Sequence, residues 1–317
     1  MKYAAISFNF DSLGWSYGFP ENYVDPCFTN IQDRYFSLSE KYDFKYSFYL
    51  IGKDLLKSEN RYSVRTWADM GHEIGNHSWS HNVNLGSLKY NQINSEVLKS
   101  HKIISKTLGK EPTGFISPAW NTSKDLLKVL IDLGYEYDTS VFPSWIMFPA
   151  TLKSIINKRG HKNFLRPLMR KDWSSILFGP RKPFFSDGSL HIKDSWSEKN
   201  LIILPQPTNQ LRFACWHTIG YMFGWDFHYK LLQECLDNSE FFYYLIHPGD
   251  FLIKEDLDSE RKTFLDRIDY SLDYKMDKLD KALRLIKRSG RELVSMEELA
   301  SISKKKLLSG LNIDEKK

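Results

Sequence analysis

The chain has 317 residues, of which 42% are hydrophobic and 26% are charged. This is the composition of a globular protein with room for one large α/β barrel or two small domains. The formal net charge of +5 is too small to indicate nucleic-acid binding, and no stretch approaches the roughly 20 apolar residues of a membrane-spanning helix.

Cysteine usage and the amino terminus bear on the compartment. Cys27, Cys215 and Cys235 form no C-x-x-C pair, so the sequence predicts neither a disulfide framework nor a thiolate zinc site. The apolar run that follows Met1 and Lys2 is too short for a secretory signal. We therefore expect a reducing compartment and a cytoplasmic protein, with contact to a membrane surface left open.

Strands and helices alternate along the first half of the chain. Apolar runs, helical periodicity and Gly or Pro boundaries define these elements. The predicted strands occupy residues 3–10, 45–51, 73–77, 113–118 and 135–137, and the predicted helices occupy residues 29–42, 63–70, 92–108 and 123–133. This order is typical of a parallel sheet or barrel with helices outside.

The alternation stops after residue 150. Residues 151–210 are basic, aromatic and marked by Pro and Gly, which indicates an insertion rather than a separate domain. The pattern resumes with a helix at 229–235, a strand at 241–246, a long charged helix at 264–289, a strand at 293–295 and a closing helix at 297–302. We predict a single barrel over residues 1–303 and a charged, disordered tail over residues 304–317.

Polar side chains follow three of the predicted strands, and in a parallel barrel such strand-end loops gather on one face. Asn9 and Asp11 lie on the same side of the first strand. His77 and His81 share one face if their segment turns helically. Imidazole nitrogens and a carboxylate oxygen suit zinc, and also cobalt, nickel or manganese. The third segment, residues 247–250, reads H-P-G-D. Each pattern alone also fits a structural histidine or a turn.

Taken together, these segments resemble a known family. Residues 71–81 read G-H-E-I-G-N-H-S-W-S-H, which resembles the G-H-E-I-G-N-H-(S/T)-x-x-H signature of the polysaccharide deacetylases, the NodB-homology proteins of carbohydrate esterase family four. Residues 115–118 (F-I-S-P) are similar to the family's F-R-x-P motif, and residues 245–248 (L-I-H-P) to its L-x-H-P motif. Residues 134–143 (G-Y-E-Y-D-T-S-V-F-P) resemble a run of the allantoinase-like and lipid-linked glycan branch.

The resemblance extends over most of the chain, from Ala4 to about Asp250. It implies a distorted (β/α) barrel with about seven strands, interrupted here by the basic-aromatic insertion. It also implies a divalent metal, zinc by preference, bound by Asp11, His77 and His81 in a groove at the carboxyl ends of the strands. In such a site a metal-activated water attacks an amide carbonyl.

The later motifs imply further roles. His247 would protonate the leaving amine as general acid. The tetrahedral oxyanion would lie on the metal and on a backbone N–H near Ala119 or Trp120, in the segment that begins at Pro118.

Two positions depart from the family pattern. The first family motif carries two aspartates, D-x-D in one branch, and here reads N-F-D over residues 9–11. Asn9 therefore stands where the general base is expected, and a carboxamide can orient water but cannot take its proton at neutral pH. Ile116 stands where the family has the arginine that orients this base. An arginine buried beside a neutral Asn9 would be costly, so the two changes are consistent with each other.

Three explanations of these departures remain. Catalysis continues without the base, which typically contributes about 10²–10⁴-fold; or another carboxylate replaces it, with Asp250 the first candidate; or the protein is an inactive relative that binds a glycan. The presence of His247 together with Asp11, His77 and His81 favours an active enzyme.

The substrate is expected to be an N-acetylated or N-formylated amino sugar, on a lipid carrier or in an oligosaccharide, in surface-glycan assembly. Between residues 153 and 182 basic residues are interleaved with apolar ones, and only Asp172 is acidic. This pattern suits an anionic membrane surface or a prenyl phosphate, and it equally suits a solvated basic face over a hydrophobic cluster. A small-amide hydrolase of the allantoinase-like kind is a third possibility, and no nucleic-acid partner is expected.

Overall fold

The computed structural model describes residues 1–20, 22–157, 166–192, 197, 200–257 and 267–314. The strands in this part of the chain form one curled sheet in the order β6-β7-β5-β4-β3-β2-β1-β8, with β9 also paired to β1. The strands are β1 (Tyr3–Phe10), β2 (Tyr46–Leu50), β3 (Glu73–Asn76), β4 (Gly114–Phe115), β5 (Tyr137–Asp138), β6 (Phe184–Ser186), β7 (Leu201–Ile203), β8 (Phe241–Ile246) and β9 (Glu292–Leu293).

Helices connect these strands and cover the sheet. They are α1 (Leu13–Tyr17), α2 (Gln32–Tyr42), α3 (Ser58–Asp69), α4 (Tyr90–Leu108), α5 (Lys124–Asp132), α6 (Met147–Asn157), α7 (Trp173–Phe178), α8 (Thr218–Phe223), α9 (Trp225–Asn238), α10 (Leu272–Arg288) and α11 (Met296–Asp314). The distorted α/β barrel predicted from the sequence is confirmed. Sequence periodicity placed β1 and β8 at their observed bounds and most other elements within a few residues.

The centre of the sheet is buried on both faces. From Ala4 to Phe10, every residue of β1 is buried, because β1 is flanked by β2 and β8 in parallel register. Parallel strands covered by helices on both sides read as continuous apolar runs. Phe8 and Phe10 pack edge-on against Tyr35 of α2. Aromatic side chains therefore contribute to the core.

The segment predicted to be an insertion contributes to the main sheet. β7 pairs with β5 in parallel and β6 pairs with β7 antiparallel, so residues 184–186 and 201–203 belong to the barrel wall. Strands of three residues each are too short for periodicity to reveal. The part of the insertion at residues 158–165 lies outside the described residues.

The carboxyl-terminal region differs from the prediction. The closing helix α11 continues to Asp314 instead of ending near residue 302, so the predicted disordered tail is wrong as far as that residue. Residues 315–317 lie outside the described part of the chain. Among the described helices, none is both long and apolar enough to cross a membrane.

Candidate metal centre and active site

Two histidines and one aspartate converge at the carboxyl ends of β1 and β3. His77 Nε2 lies 3.3 Å and His81 Nε2 lies 3.1 Å from Oδ1 of Asp11, and one donor atom from each residue lies within 4.8 Å of the others. Parallel strands bring these ends to one edge of the sheet, which is why residues 66 or more positions apart in the sequence meet here. Two imidazoles and a carboxylate are a suitable donor set for zinc.

The hydrogen bonds of these side chains leave the converging atoms free for a cation. His77 Nδ1 lies 2.7 Å from the carbonyl oxygen of Ile116, so it donates there and Nε2 keeps its lone pair. His81 Nδ1 lies 3.3 Å from the hydroxyl of Ser16. Asp11 Oδ1 is buried without a hydrogen-bond partner among the described residues. Outer partners of this kind fix the tautomer of a metal-binding histidine, and the residues therefore fit a divalent ion.

The charge environment of the three residues supports the same interpretation. Burial raises the pKa of the Asp11 carboxyl, but the neighbouring imidazoles of His81 and His77 outweigh it and hold this pKa well below its usual value. Burial lowers the pKa of His77. An ionised carboxylate and a neutral imidazole are the forms that bind a metal.

The loop between the two histidines is not helical, so the helical spacing considered for this pair does not apply. Residues 77–81 form no helical turn, and Ser78 and His81 have positive φ values of 67° and 54°. The loop is held against β2 and the turn after it, because Gly52 N–H donates to Ser78 O at 2.9 Å. The imidazoles therefore meet through two left-handed residues rather than through helical spacing.

Asn9 lies at the end of β1 on the same strand as Asp11. It is 5% exposed, and its Oδ1 has no hydrogen-bond partner among the described residues. Ile116 is fully buried in the main hydrophobic core. Asn9 thus places a neutral amide where the family pattern has its general base. Ile116 places an apolar side chain where that pattern has the arginine that orients the base.

His247 follows β8 and faces the same centre. Its Nε2 lies 4.0 Å from Oδ2 of Asp11, and its Nδ1 is buried without a partner among the described residues. Burial lowers the pKa of His247. A molecule bound between His247 and the cluster of Asp11, His77 and His81 would contact the His247 imidazole.

Asp250 lies behind His247 with both carboxylate oxygens engaged. Oδ2 accepts from the backbone N–H of His247 at 2.8 Å, and Oδ1 pairs with the guanidinium of Arg267. Burial raises the pKa of Asp250, but Arg267, His217 and His247 together outweigh it and the pKa is lowered. Arg267 was not predicted from the sequence, because a single arginine far from every motif carries no signal.

The predicted oxyanion segment has an unusual backbone. Ala119 and Trp120 both have positive φ values, 51° and 49°. Pro118 has no N–H, and Trp120 N–H donates to the carbonyl oxygen of Ser117 at 2.9 Å. Of the three predicted residues, only the exposed Ala119 keeps an N–H without a hydrogen bond among the described residues.

A buried arginine supports this segment. Arg170 donates to the carbonyl oxygens of Ala119 (3.1 Å) and Trp120 (2.7 Å). Asp172 balances its charge, with Nε–Oδ1 and Nη2–Oδ2 distances of 2.9 and 2.7 Å. Both residues lie in the basic segment at residues 153–182, and no sequence pattern predicted this contact.

An aromatic wall lies next to the oxyanion segment. Trp120 packs against Phe142 at 4.8 Å and against Trp216 at 5.6 Å between ring centroids. Trp120 Nε1 is buried without a hydrogen-bond partner among the described residues. Aromatic faces of this kind pack well on apolar sugar C–H groups.

The fold and the site define a class: an α/β barrel with a His-His-Asp metal centre candidate and a further histidine at the carboxyl ends of its strands. Residues 6–137 match the family model described as polysaccharide deacetylase. Over these residues the chain is similar to the NodB-homology polysaccharide deacetylases.

The individual relatives share little sequence identity with the chain. A peptidoglycan deacetylase of Helicobacter pylori (strain ATCC 700392 / 26695) is 26% identical over 159 residues, which are 49% of this chain and 50% of the relative. The chain thus spans half the length of this curated relative. A solved structure assigned to the polysaccharide deacetylases, from Mycobacterium smegmatis, has a TM-score of 0.57 at 12% identity, with 96% of this chain and 91% of that chain covered. Puue allantoinase also gives a TM-score of 0.57, at 10% identity, with 94% and 89% covered. These two structures bear on the fold alone.

Proposed function

We propose that this protein is a metal-dependent hydrolase that removes an acetyl or formyl group from the nitrogen of an amino sugar in a glycan. The observation that carries the proposal is the convergence of Asp11, His77 and His81 within 4.8 Å, with His247 4.0 Å from Asp11 on the same face. The name of the H. pylori relative, a peptidoglycan deacetylase, supports an N-acylated glycan as substrate.

Asp11, His77 and His81 would hold the ion, with zinc favoured and cobalt, nickel or manganese as alternatives. A divalent cation in such a site activates water and polarises a carbonyl group. Around it, the Asn9 amide holds a water molecule by hydrogen bonds, and Ala119 N–H donates to the developing oxyanion. His247 donates a proton to the leaving amine.

Asp250 positions His247 and does not act as the general base. Its oxygens accept from the backbone of His247 and from Arg267, and the pKa of the carboxyl is lowered, so Asp250 is a weak base toward water. The Asp250–Arg267 pair is buried, and it orients the loop that carries His247. Asp250 therefore does not replace the general base that is missing at position 9.

The first experiment compares metal content and turnover. Purified wild type is expected to hold about one equivalent of a transition metal and to release acetate or formate from an N-acylated amino sugar. Asp11→Ala/His77→Ala loses both the metal and the turnover, whereas His247→Ala keeps the metal and loses turnover. A wild type that holds no metal even after loading with zinc or cobalt would overturn the proposal.

A second function is favoured by Asn9 and Ile116, which replace the family's base and its partner. It is an inactive deacetylase-fold protein that binds a glycan. This alternative predicts one equivalent of metal, saturable binding of a chitooligosaccharide, and equal, background release of acetate by wild type and His247→Ala. Turnover that depends on His247 contradicts it, and turnover of small cyclic ureides instead would point to an allantoinase-like hydrolase.

We further propose that the amino sugar is carried on a lipid and that residues 151–182 contact the membrane surface. The described part of this segment exposes large apolar side chains, namely Leu152, Leu168, Met169, Leu177 and Phe178. Large apolar residues beside basic ones are typical of interfacial binding. Activity on polymeric sugars alone would contradict the lipid-linked substrate.

Vesicle co-sedimentation tests the membrane contact. Phe178 is 74% exposed, and Tyr62, on α3, is 75% exposed. The wild type is expected to sediment with phosphatidylglycerol vesicles and much less with phosphatidylcholine vesicles. Phe178→Asp should reduce sedimentation several-fold, and the matched control Tyr62→Asp should not. Equal losses in both variants, or no sedimentation of the wild type, would refute the contact.

A further inference from the structure

An open cavity of about 760 Å³ lies where the barrel wall is left incomplete. β6 and β8 are the two ends of the strand order, and among the described strands no ladder joins them. Phe241, the first residue of β8, lines this cavity, whereas His247 follows the other end of the strand. No residue that lines the cavity belongs to the candidate metal centre, so the two sites are separate.

The wall of the cavity is apolar. Leu204 at the end of β7 and Leu299 on α11 are 2% and 1% exposed, and the thiol-bearing Cys235 of α9 is equally buried. Pro205 and Pro207 complete this side. The volume and the apolar lining are those of sites that enclose a small molecule.

A polar atom in this wall lacks a partner. Ser303 of α11 is fully buried and lines the cavity, and its Oγ has no hydrogen bond among the described residues. A buried hydroxyl left unsatisfied costs about 1–3 kcal/mol.

The rim carries an excess of positive charge. Lys2, Arg181, Lys182 and Lys306 face two acidic residues, Asp237 and Glu240, which leaves a net charge of +2 (four minus two). Lys306 pairs with Glu240. Lys2 and Lys182 are exposed and enter no ion pair with the described residues.

We propose that this cavity binds a single-chain anionic amphiphile. The alkyl chain lies against the wall formed by Leu204, Leu299 and the two prolines, and the phosphate or carboxylate head lies at the rim beside Lys2 and Lys182. Apolar burial supplies about 0.8 kcal/mol per methylene, and charge-assisted hydrogen bonds at the rim add selectivity for an anion. This site is independent of the proposed deacetylase activity, since it shares no residue with the metal centre.

Calorimetric titration with dodecyl phosphate, below its micelle concentration, tests the proposal on the full-length chain. We expect one saturable site. Inorganic phosphate, which has the head alone, and dodecyl maltoside, which has the chain with a neutral head, should each bind at least about tenfold more weakly. Lys182→Glu and Ser303→Leu should each weaken dodecyl phosphate binding by about tenfold or more. Lys305→Glu, an exposed position on α11 beside the rim, is the matched control and should bind as the wild type does.

Each contrary outcome is decisive. No saturable binding by the wild type, or equal binding of dodecyl maltoside, refutes an anionic amphiphile site. An equal loss of dodecyl phosphate affinity in Lys305→Glu would mean that binding depends only on the general positive charge of the surface. If Ser303→Leu fails to fold by circular dichroism, Leu307→Asp, on the half-buried outer wall, takes its place with the same expected loss.

Discussion

At the scale of single residues, the amide side chain of Asn9 bears most on how the proposed reaction could activate water. It lies two positions before Asp11 on β1, is almost completely buried, and its Oδ1 has no partner among the described residues. The apolar Ile116 provides no charge that could hold a carboxylate in its place. In the proposed hydrolase, Asp11, His77 and His81 would bind the metal and His247 would protonate the amine, but position 9 offers no group that can accept a proton from water.

Restoring a carboxylate at this position tests that interpretation. Asn9→Asp is expected to raise kcat by roughly tenfold to a hundredfold on an N-acylated amino sugar, since a positioned base typically contributes about 10²–10⁴-fold and Ile116 leaves the new carboxylate without its ion partner. Asn9→Ala, the control, should lower kcat because it removes the hydrogen bonds to water. Unchanged turnover in both variants would mean that position 9 does not contact the water.

At the scale of elements, two loops with left-handed residues form the site. The loop that holds His77 and His81 is hydrogen-bonded to the turn after β2. The segment of Ala119 and Trp120 is fixed from outside by Arg170. Positive φ at a non-glycine residue costs on the order of 1–2 kcal/mol, so the contacts around such a segment must maintain it.

Removing Arg170 should loosen the oxyanion segment. Arg170→Met is expected to lower kcat by roughly tenfold to a hundredfold and to destabilise the protein by about 3–5 kcal/mol, because Asp172 is left buried without its partner. In Arg170→Met/Asp172→Asn, stability measured by urea unfolding should largely recover while kcat stays low. A double variant that regains wild-type kcat would show that Arg170 contributes to stability alone.

At the scale of the whole molecule, a buried carboxyl links stability to pH. Asp138, at the end of β5, is fully buried, and its carboxylate accepts from the N–H and hydroxyl of Ser140. Ser140 in turn accepts from the N–H of Ser117 at 2.8 Å. Burial raises the pKa of Asp138 to about 7, against about 3.9 in an unfolded chain.

This shift predicts the direction of the pH dependence. Between pH 4 and 7 the folded state binds a proton that the unfolded state has lost, so the Asp138 contribution to stability falls as pH rises through this range and is constant above it. Between pH 5 and 8 the wild type should lose about 2–3 kcal/mol more unfolding free energy than Asp138→Asn. Urea titrations at several pH values measure this, with the exposed Asp69→Asn as control. Parallel curves for wild type and Asp138→Asn would contradict the prediction.

Much of the barrel follows from local sequence. Continuous apolar runs predicted β1 and β8, and periodic apolar positions predicted α4 and α5, because these elements bury their side chains in a pattern that the chain itself displays. The motif at residues 71–81 indicated the family and the ligands to a metal. The short strands β6 and β7 were missed because three residues carry no period, and their pairing with β5 is decided by contacts distant in sequence.

The sequence by itself determined which residue types are available: the proposed metal ligands Asp11, His77 and His81, the amide at position 9 and the histidine at position 247. Only the tertiary structure decided how they are used. It engaged both oxygens of Asp250 with His247 and Arg267 and placed Arg170 against the segment that carries Ala119. It also left the Ala119 N–H without a hydrogen bond to any residue that the structure describes. The physical reason is that hydrogen bonds and ion pairs form between groups that folding brings within about 3 Å, and for these residues the partners lie in segments whose proximity no local pattern records.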